Sequence, residues 1–350
     1  MKSPVLHHLL SDLPGRLEAL LDVPIHSSKA PGPADSGWDA ELTAGDWHFL
    51  VRAKAQGSPV AVRSAIAQIQ HDIPLIDPKS LPLVVVPFMG ELGAEACRKA
   101  GISWLDLSGN ASIKATGLRV RMEGIPNQYQ KRGRTSNLFA PQASRLTRFL
   151  LLNSDQAFRQ QELKERLVLD PGYLSRLIKR MCSEGLLRKD ASGRIRVEQP
   201  DLLLDVWRDG YHIQEYERIQ GHLPARSGEH ALEQLVQRLE KLPFIYAVTG
   251  LAAAWIHTGF AGFRLVSLYM DPTPGWNLER ELGFEQTDRG ANLWIIRAKD
   301  DGVYEGQTQV NRTNVVHPLQ AYMDLKDHPE RAAEAAANLR ERFLTWGRHA

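Results

Sequence analysis

Cysteine is nearly absent from this 350-residue sequence, where only Cys97 and Cys182 occur. That excludes a disulfide framework as the basis of the fold and makes a reducing cytoplasm the expected compartment. Long apolar runs are missing too: none approaches the roughly 18 residues that a membrane span needs. The N-terminal MKSPVLHHLLSDLPGRLEALL is interrupted by His7, His8, Asp12 and Pro14, so it reads as part of the fold and not as a secretory signal. No membrane contact is expected. The twelve histidines are scattered, and no HExxH or CxxC cluster gives metal-ligand spacing. No metal and no cofactor are expected. Internal repeats and low-complexity tracts are also lacking, which excludes a solenoid. What remains is an ordinary globular composition, 43% hydrophobic and 24% charged, long enough for two or three folding units.

Net charge is only +2, but it is unevenly placed. Lys131 to Gln199 holds fifteen Lys and Arg against seven Asp and Glu, a local +8 that leaves −6 for the rest of the chain. A basic middle between mildly acidic ends points to a polyanion met in the middle.

Residues 1–125 alternate helical and strand patterns. Leu6 to Leu21 has helical spacing, WHFLVRAK reads as a strand and VAVRSAIAQIQ as a helix. LPLVVVPF is a buried strand, GELGAEACRKAG a helix closed by Gly101, and ISWLDL another strand. That order predicts an α/β unit with a partly parallel sheet. Residues 126–143 lack periodicity and read as a linker whose Lys131, Arg132 and Arg134 can meet phosphates.

Within 144–199, helices are predicted at 144–153 and 159–167, then a short break and a third helix over 170–184. Asp170 suits the N-cap, Pro171 the first helical position and Gly185 the stop. Residues 187–197 read as a hairpin with a polar turn at Asp190 to Gly193. Three helices and a hairpin make a winged helix-turn-helix, whose last helix enters the major groove. Leu174, Leu177, Ile178 and Met181 define its buried stripe. The opposite face offers Tyr173, Ser175, Arg176, Lys179 and Arg180 to bases and phosphates. Arg188, Lys189, Arg194 and Arg196 on the wing would add largely sequence-independent affinity. Residues 200–350 again mix helices and strands, with a helix near 229–241, strands at IYAVTG, FRLVSLYM and NLWIIRA, and an Ala-rich helix over 329–346. The fold expected is therefore a multidomain α/β and α+β chain.

A basic winged helix set between GISWLDLSGNASI and VTGLAAAWIHTGF, LVSLYM and HPLQAYMDLKDHPERAAEAA resembles the AbiEi-type transcriptional regulators, described as antitoxins of type IV toxin–antitoxin systems. The resemblance implies a DNA-binding autorepressor. It also implies a restriction-endonuclease-like first segment, with Asp39 as the first acid and Lys54 as the motif lysine. Arg52 stands at the second acidic position and would repel Mg²⁺, so that site is expected to be lost. The last segment resembles a degenerate nucleotidyltransferase-like fold, with Thr249 and Gly250 at its turn but only Asp271 for its metals.

Three readings follow. The first is a sequence-specific transcriptional regulator without catalysis, partnered by duplex operator DNA and by a second copy or a cognate toxin. The second is a Mg²⁺-dependent DNA nuclease targeted by the winged helix. The third is an antitoxin that binds a partner protein directly.

Overall fold

The computed structural model describes residues 4–29, 38–75, 77–129, 138–260, 262–271 and 276–346. Lys131, Arg132 and Arg134 lie outside them. The chain is of mixed α/β class, with two seven-stranded mixed sheets in two compact units. One unit takes in Met1–Ser136 with Cys182–Leu186; the other takes in Asn137–Met181 with Leu187–Ala350.

The first unit runs α1 (Pro4–Leu21), β1 (Ile25–Lys29), β2 (Ala40–Ala44), β3 (Trp47–Ala53), α2 (Pro59–Asp72), β4 (Ser80–Val86), α3 (Glu91–Ala100), β5 (Ser103–Asp106), β6 (Ala111–Ala115) and β7 (Leu118–Met122). The strands lie in sequence order. Only the β3–β4 and β4–β5 pairs are parallel, each joined by a helix, as a parallel crossover requires. Strand periodicity divides the core into two layers. Leu83 and Val85 of β4 join Leu9, Leu13 and Leu17 of α1 on one face, while Val84 and Val86 join Val62, Ile66 and Ile69 of α2 on the other. Full burial of each such leucine or isoleucine contributes about 1.5–3 kcal/mol. At the end of α3, Gly101 takes φ 68°, the left-handed stop that lets β5 begin.

The second unit opens with α4 (Pro141–Leu152), α5 (Gln160–Leu167) and α6 (Pro171–Ser183), then the antiparallel hairpin β8 (Leu187–Lys189) and β9 (Ile195–Val197). Helix α4 begins three residues before the predicted position because Pro141 occupies its first turn, where a missing N–H costs nothing. Next come α7 (Pro200–Asp209), β10 (Arg218–His222), α8 (Gly228–Leu239), β11 (Tyr246–Thr249), α9 (Gly250–Thr258), β12 (Val266–Met270), α10 (Leu278–Leu282), β13 (Glu285–Gln286), β14 (Leu293–Ile296), β15 (Thr308–Val310), β16 (Thr313–Val315), α11 (Pro318–Asp324) and α12 (Ala332–Phe343). The sheet order is β13-β10-β14-β12-β11-β16-β15. Every residue of β11 and β12 is buried, so the sheet centre is covered on both faces. No helix among the described residues is long and apolar enough to cross a membrane.

Candidate functional site

Two groups of residues carry chemistry. On α6, the Asp170 carboxylate accepts the Tyr173 N–H at 2.7 Å and fixes the helix start, with Pro171 in the first turn. Leu174, Leu177, Ile178 and Met181 are buried. That leaves Ser175, Arg176 and Lys179 exposed, with Tyr173 and Arg180 half-buried.

The hairpin follows the same logic with period two. Leu187, Ile195 and Val197 face inward, and Arg188, Lys189, Arg194 and Arg196 are all exposed. Phe158 pairs with Ile195 through two backbone hydrogen bonds of 2.8 and 2.9 Å, which tie the α4–α5 connection to the hairpin. In the turn, the Asp190 carboxylate accepts from Ser192 N–H, Ser192 O–H and Arg194 N–H, and its pKa is lowered, chiefly by the Ser192 hydrogen bond. The hairpin cations therefore stand beside a tied turn. Of the twelve predicted contact residues, the nine within the described residues fall on α6 and this hairpin.

The second group lies at the C-terminal end of β3 in the first unit. Asp39 accepts the Ala53 N–H at 3.0 Å, and Lys54 donates from its backbone to Val85 O at 2.9 Å and from Nζ to Gln68 Oε1 of α2 at 2.9 Å. Burial lowers the Lys54 pKa, and Arg52 pushes the same way while the Asp39 carboxylate opposes. Arg52 is not aimed into this cluster. Its guanidinium pairs with Asp72 and lies 4.7 Å from the centre of the Trp38 ring. Asp72 thus offsets part of the expected repulsion of a cation, and Lys54 still feels the rest.

Other polar and aromatic residues have structural tasks. Asp106 is fully buried and accepts from Met89 N–H, Gly109 N–H, Asn110 N–H and the Asn110 amide, so its oxygens hold a turn. Asp271 is exposed and pairs with Arg297. Thr249 donates instead to Asp324, a fully buried acid that sequence reasoning passed over. Asp324 also accepts from Tyr211, from Tyr269 at 2.8 Å and from Gln320 at 2.8 Å, yet burial dominates and raises its pKa to about 6. Its only signal in the sequence is an acid closing the apolar run LQAYMD. Trp255, Trp276 and Trp294 each pack against another ring, those of Phe263, Phe244 and His328. Among the described residues no group of three or more His, Cys, Asp and Glu could hold a metal ion.

No family model matches this chain, and no curated protein does. Among solved structures it is similar to a repair endonuclease from Pyrococcus abyssi, at 14% identity and TM-score 0.25 over 31% of this chain and 47% of that one. It is also similar to an EndoMS–double-stranded DNA complex, at 10% identity and TM-score 0.23 over 31% and 46%. The chain thus spans about half the length of these structures. Two expectations are corrected here, transcription regulation and the absence of catalysis: the matches are an endonuclease and a DNA-bound EndoMS, and neither is a regulator of transcription. Likeness at these TM-scores says nothing further about activity, which has to be argued from this chain's own residues.

Proposed function

We propose that this chain is a nuclease-like protein that acts on duplex DNA. The Asp39–Lys54–Gln68 cluster meets the scissile phosphodiester, and α6 with its hairpin grips the duplex. In this reading, 1–125 is restriction-endonuclease-like, α4 to β9 is a winged helix and 200–350 is nucleotidyltransferase-like. The AbiEi-type resemblance belongs to it as kinship only.

The observation that carries it is Lys54. A partly buried lysine, held by Gln68 and facing Asp39, is placed to stabilise charge that develops on an attacked phosphate. Arg52 leaves the cluster with one carboxylate where two would be usual. One carboxylate still suits a Mg²⁺-class ion that completes its shell with water and substrate phosphate. Asp39 would hold that ion, and its contribution would be to neutralise phosphate charge and ready a water. Asp39 meanwhile anchors the Ala53 backbone, and Gln68 fixes where the Lys54 ammonium stands.

The test is incubation of the full chain with supercoiled and linear duplex DNA in Mg²⁺ or Mn²⁺. Metal-dependent products that disappear in folded Asp39→Ala and Lys54→Ala variants support the reading. Absence of products with either ion, or products that survive both substitutions, overturns it.

A further inference from the structure

Arg148 of α4 is a buried cation that has no directly bonded carboxylate among the described residues. It is 4% exposed, and its guanidinium lies 5.2 Å from the centre of the Trp207 ring. Nη2 donates to an amide oxygen, Gln320 Oε1, at 2.6 Å. Nε has no acceptor among the described residues. The near acid, Asp324, is reached through the other end of the same Gln320 side chain. A buried guanidinium in this state is strongly unfavourable unless something else meets it.

A cavity of about 180 Å³ adjoins it, lined by Arg145, Arg148, Phe149, Arg166, Asp301 and Glu305 among others. Arg145 is already matched by Asp300, at 2.8 and 3.0 Å. Arg166 is exposed at the mouth, its guanidinium 5.4 Å from the Phe149 ring centre. The cavity therefore has one guanidinium at its floor and another at its mouth. Asp301 and Glu305, both exposed, stand at the rim, where water screens them.

We propose that this cavity binds a small oxyanion, a carboxylate or a phosphate group, with Arg148 and Arg166 as its binding residues. The planar guanidinium fork matches two oxygens of either group. The volume is below the roughly 300 Å³ where drug-sized ligands begin, which suits a small group and not the whole of a nucleotide. Leu167 and Val168 line the same cavity, so occupancy restrains the turn that leads into α6.

The full chain is titrated with sodium phosphate, sodium acetate or glycine against sodium chloride at matched ionic strength, following Tm and amide exchange at Leu167 and Val168. A saturable rise in Tm that chloride does not give, with slowed exchange at the turn, is expected for one of the oxyanions. Phosphate alone identifies a phosphate site; acetate or glycine identifies a carboxylate site. Arg166→Gln, at the exposed mouth, weakens apparent affinity about tenfold or more through loss of a charged hydrogen bond. Arg148→Lys keeps the charge, loses the fork and does the same; if it does not fold, Arg166→Gln decides. No effect beyond chloride, or unchanged binding by Arg166→Gln, overturns the proposal. DNA cleavage is not read, so failure here is distinct from failure of the nuclease reading.

Discussion

Arg188 and Arg196 face each other directly across the β8–β9 hairpin, and Glu198 relieves Arg188 at 3.0 Å. Like charges in direct cross-strand register lower hairpin stability by roughly 0.2–1 kcal/mol. Arg196→Thr should therefore raise the Tm of the free chain slightly while weakening duplex binding, with the salt slope falling by about 1. Melting curves and DNA titrations at several salt concentrations read both effects. A lower Tm with an unchanged slope would count against a hairpin shaped for a polyanion.

Arg176 and Lys179 are exposed one turn apart on α6, opposite its buried stripe. Replacing both with Ala removes no core contact, so far-ultraviolet circular dichroism should be unchanged. Duplex affinity should fall, with a salt slope reduced by about 2 if both meet phosphates. Retention of wild-type affinity and slope would remove α6 from the interface.

Elements with strong local periodicity were predictable: α6 from its i, i+3, i+4, i+7 stripe and Asp170 cap, and β4 from a run buried on both faces. The antiparallel strands β1 (IHSSK) and β2 (AELTA) were not, because they are short and hold few of the β-branched or aromatic residues that mark a strand, so pairing onto β3 and not local preference makes them. The same limit hid most of the candidate site. Asp39 and Lys54 could be named only through the family resemblance. The Gln68 contact to Lys54 and the Asp72 contact to Arg52 join a strand to a helix 14 and 20 residues on, and only the packed β3–α2–β4 crossover creates them. Asp324 escaped notice because its partners Thr249, Tyr211 and Tyr269 are 75, 113 and 55 residues away.

Asp324 predicts a pH signature. Burial raises its folded pKa from 3.8 to about 6, so the proton is bound more tightly in the folded chain. Its stabilising contribution is full below pH ~4 and is lost as pH rises through ~6, on the order of 3 kcal/mol in total. Asp324→Asn has no such contribution, so its Tm relative to wild type should climb between pH 4 and pH 7. A constant difference across that range would mean that Asp324 titrates like an ordinary carboxyl.

Val168, in the turn between α5 and α6, adopts φ 51°, ψ 50° and is 79% exposed. A β-branched residue in the left-handed region costs about 1–2 kcal/mol, and this one offsets little of that by burial. Val168→Asn, which tolerates the conformation, should raise the unfolding free energy by about 1 kcal/mol. Urea denaturation measures this, and destabilisation by the substitution would show that the valine side chain has a packing task.

The Arg52–Asp72 pair allows a gain-of-function test of the nuclease reading. On that reading Arg52 stands where a second carboxylate would complete the oxygen set, while its guanidinium pairs with Asp72. Arg52→Glu alone would set a new carboxylate against Asp72, so Asp72→Asn is introduced with it to remove the like-charge repulsion. The double variant loses a half-buried ion pair and the stacking on Trp38, and it should lose about 1–3 kcal/mol of stability. At a temperature where circular dichroism shows it folded, a second acid beside Asp39 should raise Mg²⁺-dependent DNA cleavage about tenfold or more over wild type. Adding Asp39→Ala should return cleavage to background. If the folded double variant cleaves no faster than wild type, the end of β3 does not hold the reacting phosphate, whatever grip α6 keeps on the duplex.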